Sequence, residues 1–479
     1  MTIPSRLTLG LTVLVTASAC GADIPKPPDP SRAKTVLYSL RSGNADIKED
    51  PKNKEAVKTF AKWLAYSIAQ PPYNGEPVPR EMKITLPADL QTMAYIMSEA
   101  ETFAKIEATA GNAGKVTVWQ LEYGKAMGAA IAEEVKVVLT SAARPIERIN
   151  AVRLLSIAAK LPAPAVVDPL LEIVNDPKGS DAMKLYAFQG LRNILEQSPP
   201  DDPGKHIKLA PDNNARLGQI GQALVNYIFQ KRTPRDDKEK DVIQFVRRDA
   251  VAALARYKDG VIRKPNKDLV FRPSWQLMRV MGGDSTAAPA FSVQEQTEAA
   301  IGFCQMKIDP DMNLDVAAYN VAPVVMNFVR IANFDAERAQ RDKTLPALPW
   351  KVYAARLSYA IAAWREAAKT LPKARLTETV TSFATQAIAV LDPIEKKGPE
   401  AQLDTGGLAR WMQDNPPMVW KETPPKPATL FKDDPQSLLP FAAPAKDTTL
   451  KTPEPKKAAE PKKAPEPKKG PPPAVKKPG

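Results

Sequence analysis

Histidine is almost missing from this 479-residue chain, which holds only His206. Cysteine is nearly as scarce, with Cys20 and Cys304 alone. One histidine leaves no histidine cluster to hold a metal ion, and acid–base or nucleophilic chemistry of the usual kind would rest on a single residue. His206 sits in the loop-like stretch "DDPGKHIKLAPDN" and reads as a surface residue. Two cysteines make no disulfide framework, and a chain of this length can build its core without one. Cys304 lies in "EAAIGFCQM", an apolar helical stretch, and reads as a small buried hydrophobe. Phosphate-loop, G-x-G-x-x-G and G-x-S-x-G motifs are missing as well. Ser31-Arg32-Ala33-Lys34 spells S-x-x-K without any partner motif beside it. The expectation is a protein that is not an enzyme and takes no cofactor.

Long apolar runs are also lacking. No stretch reaches the ~20 residues needed to span a bilayer as a helix. The N-terminus does read as an export signal. Arg6 gives a short basic start, Leu7 to Val15 an apolar stretch, and Ala17-Ser18-Ala19 a small-residue cleavage site. Cys20 follows directly and resembles the lipid acceptor of bacterial lipoproteins, whose first mature residue carries diacylglycerol. Ala17 stands where that motif prefers Leu. The resemblance implies an exported protein anchored in the cell envelope through Cys20. Plain cleavage after Ala19 gives the alternative, a periplasmic or secreted chain.

What the chain has in excess is proline, with 48 residues, and positive charge, with a formal net of +13. From Lys446 to Gly479 there are ten lysines against four acidic residues, so the tail supplies +6. The tail repeats "PEPKKA", "AEPKKA", "PEPKKG", a composition that cannot bury a core and favours extended, disordered chain. Its lysine pairs, Lys456 with Lys457, Lys462 with Lys463, and Lys468 with Lys469, suit an anionic polymer or membrane surface. Aromatic residues stop at Phe441, which argues against base stacking, and specific nucleic-acid binding is not expected.

Between these ends the pattern is helical. "NKEAVKTFAKWLAYSIAQ" and "KVYAARLSYAIAAWREAAKTL" carry apolar residues every three or four positions, broken elsewhere by Pro, Gly, Asn or Asp. "KVTVWQL" at 115–121 is the one strand-like stretch. The helices contain a repeat. Arg148-x-x-Ala151-Val152-x-x-Leu155 recurs as Lys184-x-x-Ala187-Phe188-x-x-Leu191 and as Arg247-x-x-Ala250-Val251-x-x-Leu254.

This pattern resembles the second helix of HEAT repeats. Asp241, Val246, Arg247, Ala250 and Leu254 match that helix and its preceding turn, and further copies fall around "SVQEQTEAAIGFCQ" and "LPWKVYAARLSYAIAAW". The resemblance implies an all-α fold, a right-handed α-α superhelix. It also implies a ladder in which turn aspartates and helix arginines of neighbouring repeats bond, with Asp241, Arg247, Arg148 and Lys184 as its members here. Arg247 lies within the apolar side of its helix, so its guanidinium needs a carboxylate or carbonyl partner, and Asp241 or Asp249 is placed to supply one. The expected organisation is a signal peptide (1–19), a flexible tether (20–50), an N-terminal helical region (51–140), HEAT-like repeats (141–260), further degenerate repeats (261–415) and a disordered Pro/Lys-rich tail (416–479).

One metal motif is worth weighing. Asp309, Asp311, Asn313 and Asp315 alternate like the first ligands of a calcium loop, yet Leu314 takes the glycine position and Asn320 the bidentate glutamate position. Asn313 or Asp315 more simply caps the helix that follows. The acidic pairs Glu133-Glu134 and Glu295-Glu298 read as solvated helix surface. The functional expectation is a non-catalytic exported scaffold that holds a protein or peptide in a solenoid groove. The alternative is an envelope structural protein attached to anionic polymers through its tail.

Overall fold

Alanine-rich sequence between short polar caps gives fifteen α-helices among the described residues. The computed structural model describes residues 24–70, 93–106, 116–196, 213–264, 266–341, 349–371, 374–398, 404–417 and 429–431. The chain divides into two compact units, Met1–Phe441 and Ala442–Gly479; every described element belongs to the first. The helices are α1 (Ser31–Arg41), α2 (Pro51–Ser67), α3 (Met93–Phe103), α4 (Val118–Ser141), α5 (Pro145–Ala158), α6 (Val167–Asn175), α7 (Asp181–Glu196) and α8 (Asn213–Ile228). They continue with α9 (Asp237–Leu254), α10 (Pro273–Met281), α11 (Val293–Gln305), α12 (Leu314–Arg341), α13 (Trp350–Lys369), α14 (Ala374–Lys397) and α15 (Gly406–Asp414). A small antiparallel hairpin, β1 (Ile262–Arg263) and β2 (Leu269–Phe271), separates α9 from α10. The described body is all-α apart from this hairpin.

Caps explain where the helices start. Asp50 accepts from the Lys52 N–H ahead of α2, whose first residue is a proline with no N–H to leave unsatisfied. Asp236 caps α9 through the Glu239 N–H, and Ser292 with Glu295 forms a reciprocal capping box on α11. Thr117 and Gln120 do the same for α4. That box overturns the strand-like reading of 115–121: Thr117 ends an extended pair of residues and helix begins at Val118.

The helices stack in sequence order. α4, α5, α7, α9, α11 and α13 each pack on the next and form one row. α6 lies against α7, α8 against α9 and α10 against α11, so a shorter helix accompanies its row partner in each of three successive pairs. α6 also touches α8, α10 touches α12, and α12 touches α14. The repeat positions read from the sequence carry this stacking. Ala151, Val152 and Leu155, then Ala187, Phe188 and Leu191, then Ala250, Val251 and Leu254 are all fully buried. The hairpin rests on α8, where Gly218 and Gly221 leave room for Val270 and the Phe271 ring.

Two expected flexible segments are partly structured. Within the supposed tether, α1 buries Ala33, Leu37 and Leu40 against α2 and α4. Their spacing of four and three residues makes a full apolar stripe, though a sparse one inside polar sequence. Within the supposed tail, Leu430 and Phe431 are buried. The Asn313 N–H donates to the Leu430 carbonyl at 2.8 Å, and the Arg272 guanidinium lies 5.1 Å from the centre of the Phe431 ring. The segments 1–23 and 432–479 lie outside the described residues, and with them the signal peptide, Cys20 and the lysine pairs.

Close backbone approach sets the α9–α11 joint. A Cβ on Gly302 of α11 would stand 2.2 Å from the Ala255 Cβ and 2.9 Å from its carbonyl oxygen at the end of α9. Gly302→Ala is therefore expected to lower stability by about 1–3 kcal/mol, since a packed core yields little to added volume. Urea unfolding measures this. Adding Ala255→Gly should restore part of the loss, and a loss unchanged by that second substitution would show that this contact is not its source.

Candidate binding face

The guanidinium on the apolar side of α9 finds its partner in the next row helix. Arg247 and Glu295 are both buried. Arg247 Nε donates to Glu295 Oε1 at 2.5 Å and Nη2 to Oε2 at 3.2 Å. Nη1 donates to the Pro289 carbonyl at 2.7 Å and Nη2 to the Ala290 carbonyl at 3.1 Å. The guanidinium also lies 4.4 Å from the centre of the Phe291 ring. Glu295 accepts from the Ser292 N–H and hydroxyl at 2.6 and 2.8 Å, so one carboxylate caps α11 and ties it to α9.

This replaces the expected ladder. Asp241 lies inside α9, not in a turn before it, and is exposed. Asp249 is half-buried; burial pushes its carboxyl above the usual range, against the opposing pull of Arg248 and a hydrogen bond from Gln189. Arg148 is exposed and donates to the Ala142 carbonyl at 3.2 Å. Lys184 is buried, 5.7 Å from the centre of the Tyr227 ring, and burial lowers its ammonium pKa against the pull of Asp181 and Asp176. The three repeat copies thus share their apolar positions but not the role of their basic one.

The acidic pairs expected at the surface are largely inside. Glu134 is buried and accepts a hydrogen bond from Tyr66. Glu298 is buried beside Arg356 of α13, which donates to its two oxygens at 2.7 Å each. At the α7 start, Arg232 forks onto Asp181 at 2.8 and 2.7 Å while Tyr227 donates to the same carboxylate at 3.1 Å. Burial raises the Asp181 pKa, but the Arg232 hydrogen bonds and charge outweigh it and hold the group below the usual carboxylate range.

The acidic loop after α11 is a set of local caps. Asp309 accepts from the Asp311 N–H at 2.9 Å, and Asn313 accepts from the Val316 N–H at 3.3 Å, capping α12. Asp315 follows in the first turn of α12. Among the described residues no group of three or more His, Cys, Asp or Glu side chains is close enough to hold a metal ion. Cys304 is buried, and burial drives its thiol pKa up, away from reactivity. Lys34 of the S-x-x-K stretch is occupied by Glu99 and by the Tyr95 hydroxyl at 2.9 Å. His206 lies outside the described residues.

A cleft of about 440 Å³ lies between α5 and α7, lined by Arg153 of α5, by Lys160 in the turn after it, and by Tyr186, Gln189 and Arg192 of α7. Lys160 pairs with Glu101 at 3.6 Å, while Arg192 and Arg256 both reach Glu196, at 2.9 and 2.8 Å. The Arg153 guanidinium makes no hydrogen bond or ion pair among the described residues. Arg248 and Asp249 of α9, and Arg256 in the turn after α9, carry the charged lining onward beside Arg192. The lining is mainly cationic and polar. No family signature singled out Arg153; its isolation exists only in three dimensions.

Arg247→Met strands the Glu295 carboxylate inside the protein and is expected to cost about 3–5 kcal/mol of stability. Urea unfolding of Arg247→Met, Glu295→Met and the double variant measures the coupling. The double variant should be more stable than the sum of the single losses implies, and simple additivity would deny the pair its role. No protein-family model, curated protein or solved structure matches the chain.

Proposed function

We propose that this chain is a non-catalytic exported scaffold, an α-solenoid of the HEAT-like kind that holds a protein or peptide on the face shared by its row helices. The observation that carries the reading is the division of charge along the row. Inside, Arg247 with Glu295 and Arg356 with Glu298 are spent on holding helix to helix. Outside, a charged band and the α5–α7 cleft stay open to a partner. Stacked helix pairs offer such extended surfaces as a matter of geometry, and binding is their common use. The same fold serves many tasks, so the reading rests on this face rather than on the architecture. The right-handed superhelical path belongs to the same proposal.

A photo-reactive residue tests the face directly. Placed at Gln189, in the cleft, it is expected to yield a discrete crosslinked adduct in the native host, while the same residue at exposed Gln222 of α8 yields none. Equal adducts from both positions, or none from Gln189, would sink the reading. The adduct should persist when residues 446–479 are removed; its loss would favour the tail, with its charge of +6, as the working part on an anionic polymer.

Export is the other half of the proposal, supported by the apolar stretch Leu7 to Val15 and the small residues before Cys20. Among the described residues no helix is long and apolar enough to cross a membrane. Intact-mass analysis of the protein from its host is expected to show a chain starting at Cys20 with a diacylglycerol and acyl adduct. A mass that retains Met1 would remove both export and anchor.

A further inference from the structure

The α5–α7 cleft holds more cations than acids. Arg153, Lys160 and Arg192 line it against Glu101 and Glu196, and Arg256, in the turn after α9, borders it through Glu196. Four cations against two carboxylates leave an excess of two positive charges. The excess is concentrated. Arg192 Nε and Arg256 Nε contact the same Glu196 oxygen, at 2.9 and 2.8 Å, so two guanidiniums converge on one acceptor atom. Burial, and behind it the neighbouring Arg192, pulls the Arg256 guanidinium below its ordinary pKa. Asn193 donates to the Ser156 carbonyl at 2.8 Å where α5 and α7 meet; Arg192 is the adjacent residue, and Arg153 lies one helical turn before Ser156.

Much of the donor capacity here is unused. Among the described residues Arg192 makes one hydrogen bond, from Nε, and Arg153 makes none. Arg256 Nε is buried at contact distance from Glu196 without a hydrogen bond, because distance alone does not supply alignment. The Tyr186 hydroxyl, on the α7 wall, has no partner among the described residues either.

Charge and size together select an occupant. At about 440 Å³ the cleft falls within the ~300–1,000 Å³ of small-molecule sites, and its only apolar lining side chains are Ile157 and the Tyr186 ring. A phosphate monoester carries about −1.5 to −2 at pH 7 on one tetrahedral group with three acceptor oxygens. It balances the excess at a single point and accepts from several guanidinium forks at once. A single carboxylate carries less charge, and a dicarboxylate divides the same charge between separated groups.

We propose that the α5–α7 cleft binds a phosphomonoester group, its phosphate held by Arg153 and Arg192, with Arg256 adding charge from the border. The inference goes beyond the scaffold reading, since this ligand needs no protein partner. Recognition turns on Arg153, which can meet the phosphate without giving up an internal ion pair.

Isothermal titration calorimetry of the full chain tests it at about 0.15 M salt, which screens loose attraction to exposed charge. The probes are glycerol phosphate, a simple monoester; dimethyl phosphate, the same group with one charge; and succinate, with two charges on separate carboxylates. Glycerol phosphate is expected to bind at least about tenfold more tightly than either, as the loss of charge-assisted hydrogen bonds implies. Arg153→Gln should weaken it by a similar factor and Arg153→Lys by less, with circular dichroism unchanged in both. The lysine-rich tail is intact in these variants, so undiminished binding by Arg153→Gln would place the site elsewhere and overturn the proposal. Equal binding of dimethyl phosphate or succinate, or no binding of glycerol phosphate, would overturn it too. Vesicles containing phosphatidate, whose headgroup is a phosphomonoester, separate the two sources. Co-sedimentation that is lost in Arg153→Gln assigns the group to a lipid; its absence beside tight glycerol phosphate binding assigns it to a soluble compound, and either result upholds the site. The crosslink from Gln189 is read separately, so a peptide-binding face can stand when this ligand fails.

Discussion

Everything between α9 and α13 hangs on a guanidinium that has been taken out of water and fully re-satisfied. Moving Arg247 into the stack would be prohibitive without partners, and its planar fork receives them in one place: two carbonyls just ahead of α11 and the carboxylate of its first turn. The Phe291 ring covers the guanidinium. The pair therefore does more than offset its own desolvation. It fixes the loop that enters α11, and through that loop the register at which α9 and α11 meet.

The same device recurs with different residues at other joints. Asp181 with Arg232 ties the start of α7 to the segment before α9, Glu298 with Arg356 joins α11 to α13, and Tyr66 with Glu134 joins α2 to α4. Apolar stripes alone would let stacked helices slide, because one buried alanine or leucine packs much like another. Directed charge pairs restrict the stack to the registers in which these buried charges meet their partners. Charge that the joints do not consume lines the α5–α7 cleft.

The all-α class was legible in the sequence because it is a local property. Helical periodicity of apolar residues is written into a dozen consecutive positions, and the stripes of α5, α7 and α9 were legible in that way. Arg247 was recognisable as an anomaly, but its partner is 48 residues away, and spacing along one helix says nothing of the register between two. The local signal did exist, since Ser292 and Glu295 spell a capping box; read as surface, Glu295 could not be seen to serve two masters. α1 was hidden by its polar context, with only Ala33, Leu37 and Leu40 to mark it. Leu430 and Phe431 form no periodic pattern at all. The candidate face was less legible still, because Arg153 looks like any other basic residue until its neighbours are known.

Stacks of helix pairs hold mostly nearest-neighbour contacts, so each unit stabilises only those beside it and the ends can fray without involving the middle. The docked Leu430–Phe431 segment breaks that rule. It returns from beyond the last helix to the cap of α12 and to Arg272, which stands just ahead of α10. A long-range clasp of this sort raises the sequence separation of native contacts, which slows folding, and it couples the C-terminal helices to the centre of the stack. The C-terminal helices are then expected to open together rather than pair by pair.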